Sequence, residues 1–206
     1  MESAERVRTR LRLVEPDDAA QIAAIYGPFC LERAISFETA APDEATVRER
    51  ICTVGERYPW LVAVSETGDV TGYAYASKHR ERAAYRWSVD FTVYLAPAAK
   101  GRGIGTELYR ALVKICRYLG YYRAFAGITL PNEASVRLHE KIGFQPIGIY
   151  RRVGFKLGKW HDVGWWSLDL LAEEGLPSEP RSIADIVASG ELQEILGPSA
   201  GPCRER

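Results

Sequence analysis

A chain of 206 residues, 47% hydrophobic and 26% charged, has the length and composition of one ordinary globular domain with tails, enough to bury a sizeable core. Lysine plus arginine and aspartate plus glutamate both number 27, so no bulk charge favours nucleic acid or an anionic membrane as partner. No apolar run approaches a membrane span, and Met1 to Arg6 lack the apolar core of a signal peptide; a cytoplasmic protein is expected.

Leu11 and Leu13 alternate with polar neighbours as in a first strand. Pro16, Asp17 and Asp18 then open a helix with Ile22, Ala23, Ile25 and Tyr26 on its apolar side. A second helix is predicted from residue 42 to about 58, and residues 60–65 and 70–76 read as a hairpin around Thr67, Gly68 and Asp69. Residues 87–95 form a longer strand, followed by a glycine-rich loop and a helix through about Leu119. A strand over 123–129, a helix over 133–142 and two strands over 144–155 and 160–171 complete the pattern, which predicts an α/β fold with one helix crossing at the glycine loop.

From Glu173 the composition changes. Pro177, Pro180, Pro198 and Pro202 flank one possible helix over 183–196, with Ile183, Ile186, Val187, Leu192, Ile195 and Leu196 at helical spacing. The chain is accordingly divided into a domain of residues 8–172 and a C-terminal appendage of residues 173–206, disordered at its extreme end by default. Cys30, Cys52, Cys116 and Cys203 are scattered, without a C-x-x-C pair or a histidine at ligand spacing, so neither a metal site nor a disulfide framework is expected. Cys52 and Cys116 fall among apolar helical positions and are expected to act as small core residues.

The segment from Val93 to Thr106 carries the most information: it ends a strand, places glycines at 101, 103 and 105, and opens an amphipathic helix. Without Cβ atoms the backbone can turn sharply and approach an oxyanion, while the helix start adds N–H donors and a positive dipole end. A pyrophosphate-bearing ligand is expected. A dinucleotide site wants G-x-G-x-x-G and an acidic residue about 20 positions on. Thr106 stands where the last glycine should be, and residues 123–128 contain no acid. The run from Lys100 to Gly105 instead resembles [Gln/Arg]-x-x-Gly-x-[Gly/Ala], with Lys100 in the first place, the acetyl-CoA loop of the GNAT superfamily of N-acetyltransferases. Taken alone, the hexapeptide reads better as a glycine-rich turn with no ligand.

The segments 56–63, 85–94, 130–132, 135–140 and 159–164 resemble the phosphinothricin acetyltransferase family in order and spacing over residues 10–170, and 79–90 is most similar to its arsinothricin-resistance branch. The resemblance implies the GNAT fold, a mixed central sheet flanked by helices, and a homodimer. It implies acetyl-CoA as co-substrate and the α-amino group of a small amino-acid analogue as acceptor, phosphinothricin or arsinothricin, or else methionine sulfone or sulfoximine. A non-catalytic acyl-CoA sensor is the alternative of another class.

The family's acid/base residues fall on Asp90 and His139, the former commonly a glutamate. Aspartate is shorter by one methylene, roughly 1.5 Å, so a bridging water is one route for the proton. Without the resemblance, His139 would read as a satisfied histidine on an amphipathic helix. Tyr94 is a candidate for protonating the thiolate leaving group, or else a packed core tyrosine. Backbone groups of Val93 and Leu95 are implied to pair with the pantetheine arm, N–H groups through Gly101, Arg102, Gly103, Ile104, Gly105 and Thr106 to hold the pyrophosphate, and Asn132 to touch the cofactor or simply cap its helix. Arg80 and Arg82, the second favoured, align with residues that grip an oxyanion, as guanidinium forks can, and Phe37 with a wall of the substrate pocket. For His161 a structural hydrogen bond to the Asp162 side chain is expected.

Overall fold

The computed structural model describes residues 9–196, so Cys203 and the final segment of the appendage lie outside the described residues. Seven strands make one sheet in the order β1-β2-β3-β4-β5-β7-β6. They are β1 (Arg10–Leu13), β2 (Trp60–Val64), β3 (Val70–Lys78), β4 (Ser88–Leu95), β5 (Arg123–Leu130), β6 (Gln145–Lys156) and β7 (Lys159–Asp169). Every adjacent pair is antiparallel except β4 and β5, and the helix that joins those two is the predicted crossover.

That helix, α3 (Ile104–Tyr118), buries Ile104, Leu108, Leu112 and Ile115 at helical spacing. The strands beneath it carry small residues, Ala74 and Ala76 on β3 and Ala124 and Ala126 on β5, so the helix sits close to the sheet and closes one core layer with Val89 and Phe91. On the opposite face α1 (Ala19–Leu31) and α2 (Glu44–Gly55) cover Trp60, Val62 and Tyr73 through Ile22, Phe29, Val47 and Ile51. Asp43 caps α2 by accepting from the Thr46 N–H at 2.8 Å. Asn132 caps α4 (Glu133–Ile142), which Gly143 ends in the left-handed conformation at φ 113°.

Three details differ from expectation. A 3-10 turn (Pro16–Asp18) precedes α1, held where buried Asp18 accepts two hydrogen bonds from Arg12 at 2.6 and 2.7 Å. Cys52 is exposed, because α2 buries Val47 and Ile51 and the next residue is turned about 100° away; Cys116 is buried as expected. The single helix expected over 183–196 is two, α5 (Ile183–Ala188) and α6 (Glu191–Leu196), because Gly190 takes a left-handed φ of 76° between them. Neither floats: Ile183 and Ile186 are buried in the α3-side core, Trp87 Nε1 donates to the Ser178 carbonyl at 2.8 Å, and the Arg181 N–H donates to the Leu119 carbonyl at 2.8 Å. No helix among the described residues is long and apolar enough to cross a membrane.

Candidate active site

The parallel pairing of β4 with β5 covers only Ser88 to Asp90 against Arg123 to Phe125. Beyond Asp90, β4 pairs with β3 alone and β5 with β7 alone, so the two central strands part. A cleft of about 510 Å³ lies at this end of the sheet, lined by Val93, Tyr94 and Leu95 of β4, by Gly101, Gly103, Gly105 and Thr106 at the start of α3, and by Asn132. Gly101 and Gly103 have φ of 75° and 85°, and a Cβ added to either would meet nothing within 4 Å. Both therefore border open space in a conformation that L side chains resist. Ile104 and Gly105 open α3 with no carbonyl one turn earlier for their N–H groups, whereas the Thr106 N–H already donates to the Gly103 carbonyl at 2.9 Å. Cations of Arg33, Lys100, Arg137 and Lys141 line the same cleft.

These residues fit the group that the loop pattern implies. A phosphate-bearing end suits the two open glycines, the helix start and the lysine and arginine side chains, and an apolar arm suits Val93 and Leu95. Gly105 has another reason to be glycine: its Cβ would lie 3.2 Å from Leu138 Cδ2, so it sets the close approach of α3 to α4 rather than an approach to phosphate. Ile104 is buried in the core and Arg102 is exposed, so neither side chain lines the cleft. Asn132 both lines the cleft and caps α4, its side chain accepting from the Ser135 N–H at 3.3 Å.

Asp90 occupies the last paired position before the strands part. Its side chain retains 26% exposure, and Oδ1 lies 2.7 Å from Nδ1 of His79. Burial raises the carboxyl pKa above its ordinary value, against the hydrogen bond and charge of His79 and the charge of Arg80. The sequence offered no motif for His79. Its signal was in the hairpin register: Ser77 lies opposite Asp90, so position 79 follows on the same sheet face, two residues along. Phe29, Arg33 and Ile35 also reach the cleft from the end of α1 and the following loop, some sixty residues away in sequence.

Other expected residues are placed differently. His139 is 3% exposed and does not line the cleft. Its Nδ1 bonds the Ser135 carbonyl within α4 at 2.7 Å and its Nε2 lies 2.9 Å from the Tyr109 hydroxyl, so both nitrogens are engaged and the second joins α4 to α3. Burial lowers its pKa, partly offset by the Ser135 bond. Tyr94 does line the cleft, packed against Tyr26 and Phe29 with ring centroids 4.8 and 4.9 Å away. Burial pushes its hydroxyl pKa well above the ordinary tyrosine value. A hydroxyl that weak can hold a thiolate by hydrogen bonding but is a poor donor of its proton to one.

Arg80 stacks over Trp165 at 5.3 Å and donates to the His79 carbonyl, on the Asp90 side of the sheet. Arg82 is exposed at the start of the following 3-10 turn, and its side chain does not cap it. Of the two arginines, Arg80 is the one whose charge reaches Asp90. Phe37 lies over Gly154, where a Cβ would come within 2.2 Å of its ring, and does not line the cleft; Ile35 does. The loop is fixed by buried Lys156, whose Nζ donates to the carbonyls of Ser36 and Glu38 at 2.6 and 2.7 Å. His161 bonds the Lys156 carbonyl through Nε2 at 3.0 Å, and Asp162 accepts from Arg151 and the Arg152 N–H. The expected His161–Asp162 bond is absent because successive residues of a strand point to opposite faces.

Comparison with known proteins agrees with this geometry. A sequence family described as "Acetyltransferase (GNAT) domain" matches residues 11–165. A phosphinothricin N-acetyltransferase of Streptomyces viridochromogenes is 36% identical over 184 residues, covering 89% of this chain and 98% of that protein. A Salmonella typhimurium protein named L-methionine sulfoximine/L-methionine sulfone acetyltransferase is 34% identical over 164 residues, 78% of this chain and 94% of its own length. The crystal structure of a GNAT superfamily phosphinothricin acetyltransferase from Sinorhizobium meliloti, in complex with AcCoA, superposes with a TM-score of 0.80 at 36% identity, covering 84% of this chain and 95% of that one. The parted central strands, the glycine loop at the start of α3 and these matches over most of both chains place the protein in the GNAT family of acetyltransferases, among its phosphinothricin N-acetyltransferase members.

Proposed function

We propose that the chain transfers the acetyl group of acetyl-CoA to the α-amino group of a small amino-acid analogue bearing an oxyanion, of the phosphinothricin or arsinothricin type. The observation that carries this is the glycine-lined cleft, which Tyr94 of β4 lines from the same strand face as the half-buried carboxyl of Asp90, four residues back where β4 and β5 part. Bound in the cleft, acetyl-CoA supplies an activated thioester carbon. Gly101 and Gly103, the start of α3, Lys100 and Asn132 would hold it, with Val93 and Leu95 along its arm. The acceptor arrives as an ammonium, and each unit by which its pKa exceeds ambient pH costs about 1.4 kcal/mol in competent amine. Proton removal is organised around Asp90, and Tyr94 steadies the leaving sulfur by a hydrogen bond. Arg80, with Arg82 farther out, provides guanidinium forks for a tetrahedral phosphinate or arsinate. His139 acts through the position of α4 rather than on the amine.

Methionine sulfoximine or sulfone is the second acceptor class, favoured by the similarity to the Salmonella protein. Thiol release measured side by side on phosphinothricin, arsinothricin and methionine sulfone tests both readings: turnover of any identifies the acceptor class, and turnover of none removes the proposal. The hairpin of β6 and β7 leaves Ile147, Tyr150, Val153, Phe155 and Trp160 exposed, a patch that suits a second copy of the chain. Light scattering should give the mass of a homodimer.

A further inference from the structure

We propose that the proton acceptor of this active site is a dyad, with Nε2 of His79 taking the amine proton and Asp90 orienting the ring. The proposal rests on the acetyltransferase reading and deepens it. His79 follows the end of β3, and three aromatic rings hold its imidazole. Its ring stacks on Phe125 of β5 at 4.2 Å centroid distance with the planes 14° apart, and it meets Trp165 of β7 and Tyr85 edge-on. The side chain is 9% exposed. Nδ1 is engaged by Asp90 at 2.7 Å, the one hydrogen bond of this ring among the described residues.

An ionised carboxylate accepts only, so the nitrogen facing it carries the proton, and a neutral ring then has its lone pair on Nε2. The titratable and charged groups facing the ring are Asp90 from β4, Arg80 from its own loop and Tyr85 from the 3-10 turn; Phe125 and Trp165 carry no charge. Asp90 stabilises the imidazolium that forms.

The step balances. One ammonium proton passes to Nε2 and from there to solvent. The freed amine lone pair makes the N–C bond as the C–S bond opens, leaving its electrons on sulfur. The second proton, shed by the acylated nitrogen, ends on the thiol.

His79→Asn separates the two roles, because the Asn amide can replace Nδ1–H as donor to Asp90 but offers no base. If His79 is the acceptor, kcat/KM falls by about 10² to 10⁴ at neutral pH, the deficit shrinks at high pH where the amine is already free, and acetyl-CoA affinity by calorimetry is unchanged. Asp90→Asn lowers the rate too, by favouring the tautomer with hydrogen on Nε2, and the double variant is little worse than either single one, as for residues acting as a unit. Activity of His79→Asn close to wild type would make Asp90 the direct base and overturn the dyad. Nitrogen-15 chemical shifts of the His79 ring, read without any ligand, give an independent answer. Protonated Nδ1 with bare Nε2 at pH 8 supports the proposal and the reverse tautomer overturns it, even if the acceptor class proves wrong.

Discussion

Gly103 and Asp90 show how one residue type each is demanded by a local constraint. At φ 85°, with open space where a Cβ would stand, Gly103 cannot become valine without backbone strain and a side chain projecting into the cleft. Gly103→Val should abolish acetyl-CoA binding by calorimetry while the far-ultraviolet circular dichroism stays native; unchanged affinity would remove the loop from the cofactor site. Asp90 carries the opposite signature, a charge held at the expense of the fold. Its folded pKa is raised above the unfolded value near 3.9, so the ionised form is a stability cost, present in full above the folded pKa and absent below the unfolded one. Asp90→Asn should therefore raise the melting temperature at pH 7, by about 2–4 °C for each kcal/mol recovered, and leave it unchanged at pH 3. An equal shift at both pH values would mean that the carboxylate is not under strain. The glycine loop and Asp90 were legible in the sequence because backbone conformation and a charge in an apolar strand leave local marks. His79 was not, since its neighbour stands eleven positions away and only the hairpin register joins them.

At the scale of elements, α3 and α4 are locked by one buried hydrogen bond between Tyr109 and His139. Tyr109→Phe leaves Nε2 without its partner and should cost about 1–3 kcal/mol, read as a lower melting temperature. His139 stays neutral in the fold because burial lowers its pKa below the ordinary 6.5. The stability gained by keeping it neutral is present above pH 6.5 and lost as the pH falls, when the unfolded chain binds the proton more readily. Between pH 7.5 and 5.5 the wild-type melting temperature should drop further than that of His139→Gln, whose kcat/KM at pH 7.5 should stay near wild type. A large fall in that rate with the fold intact would return His139 to the chemistry. The elements themselves were readable because apolar spacing sets both helix and strand, as the matching runs of β4, α3 and α4 show. What spacing could not convey was which face of α4 meets another helix and which meets the cleft.

At the scale of the molecule, the described residues beyond 172 are anchored to the core by Ile183 and Ile186. Ile186 is fully buried there, and Ile186→Ala should cost about 2–5 kcal/mol, whereas removal of an appendage side chain would cost almost nothing. Thermal unfolding monitored by circular dichroism decides between these outcomes. The helical spacing of the isoleucines pointed to docking, and the prolines around it pointed away. Composition alone could not weigh the two, because the anchoring point, the Leu119 carbonyl that takes the Arg181 N–H, lies at the far end of another element.

The parting of β4 and β5 also has a consequence for the protein's life before it meets a ligand. A sheet interior normally has no free margin, yet here two central strands each turn one side to the cleft rather than to a neighbour. Such margins are templates for a foreign strand, the hazard that proteins ordinarily confine to their outer rim and guard with charge. Arg33, Lys100, Arg137 and Lys141 stand at this opening, and charge placed there disfavours pairing with a foreign strand.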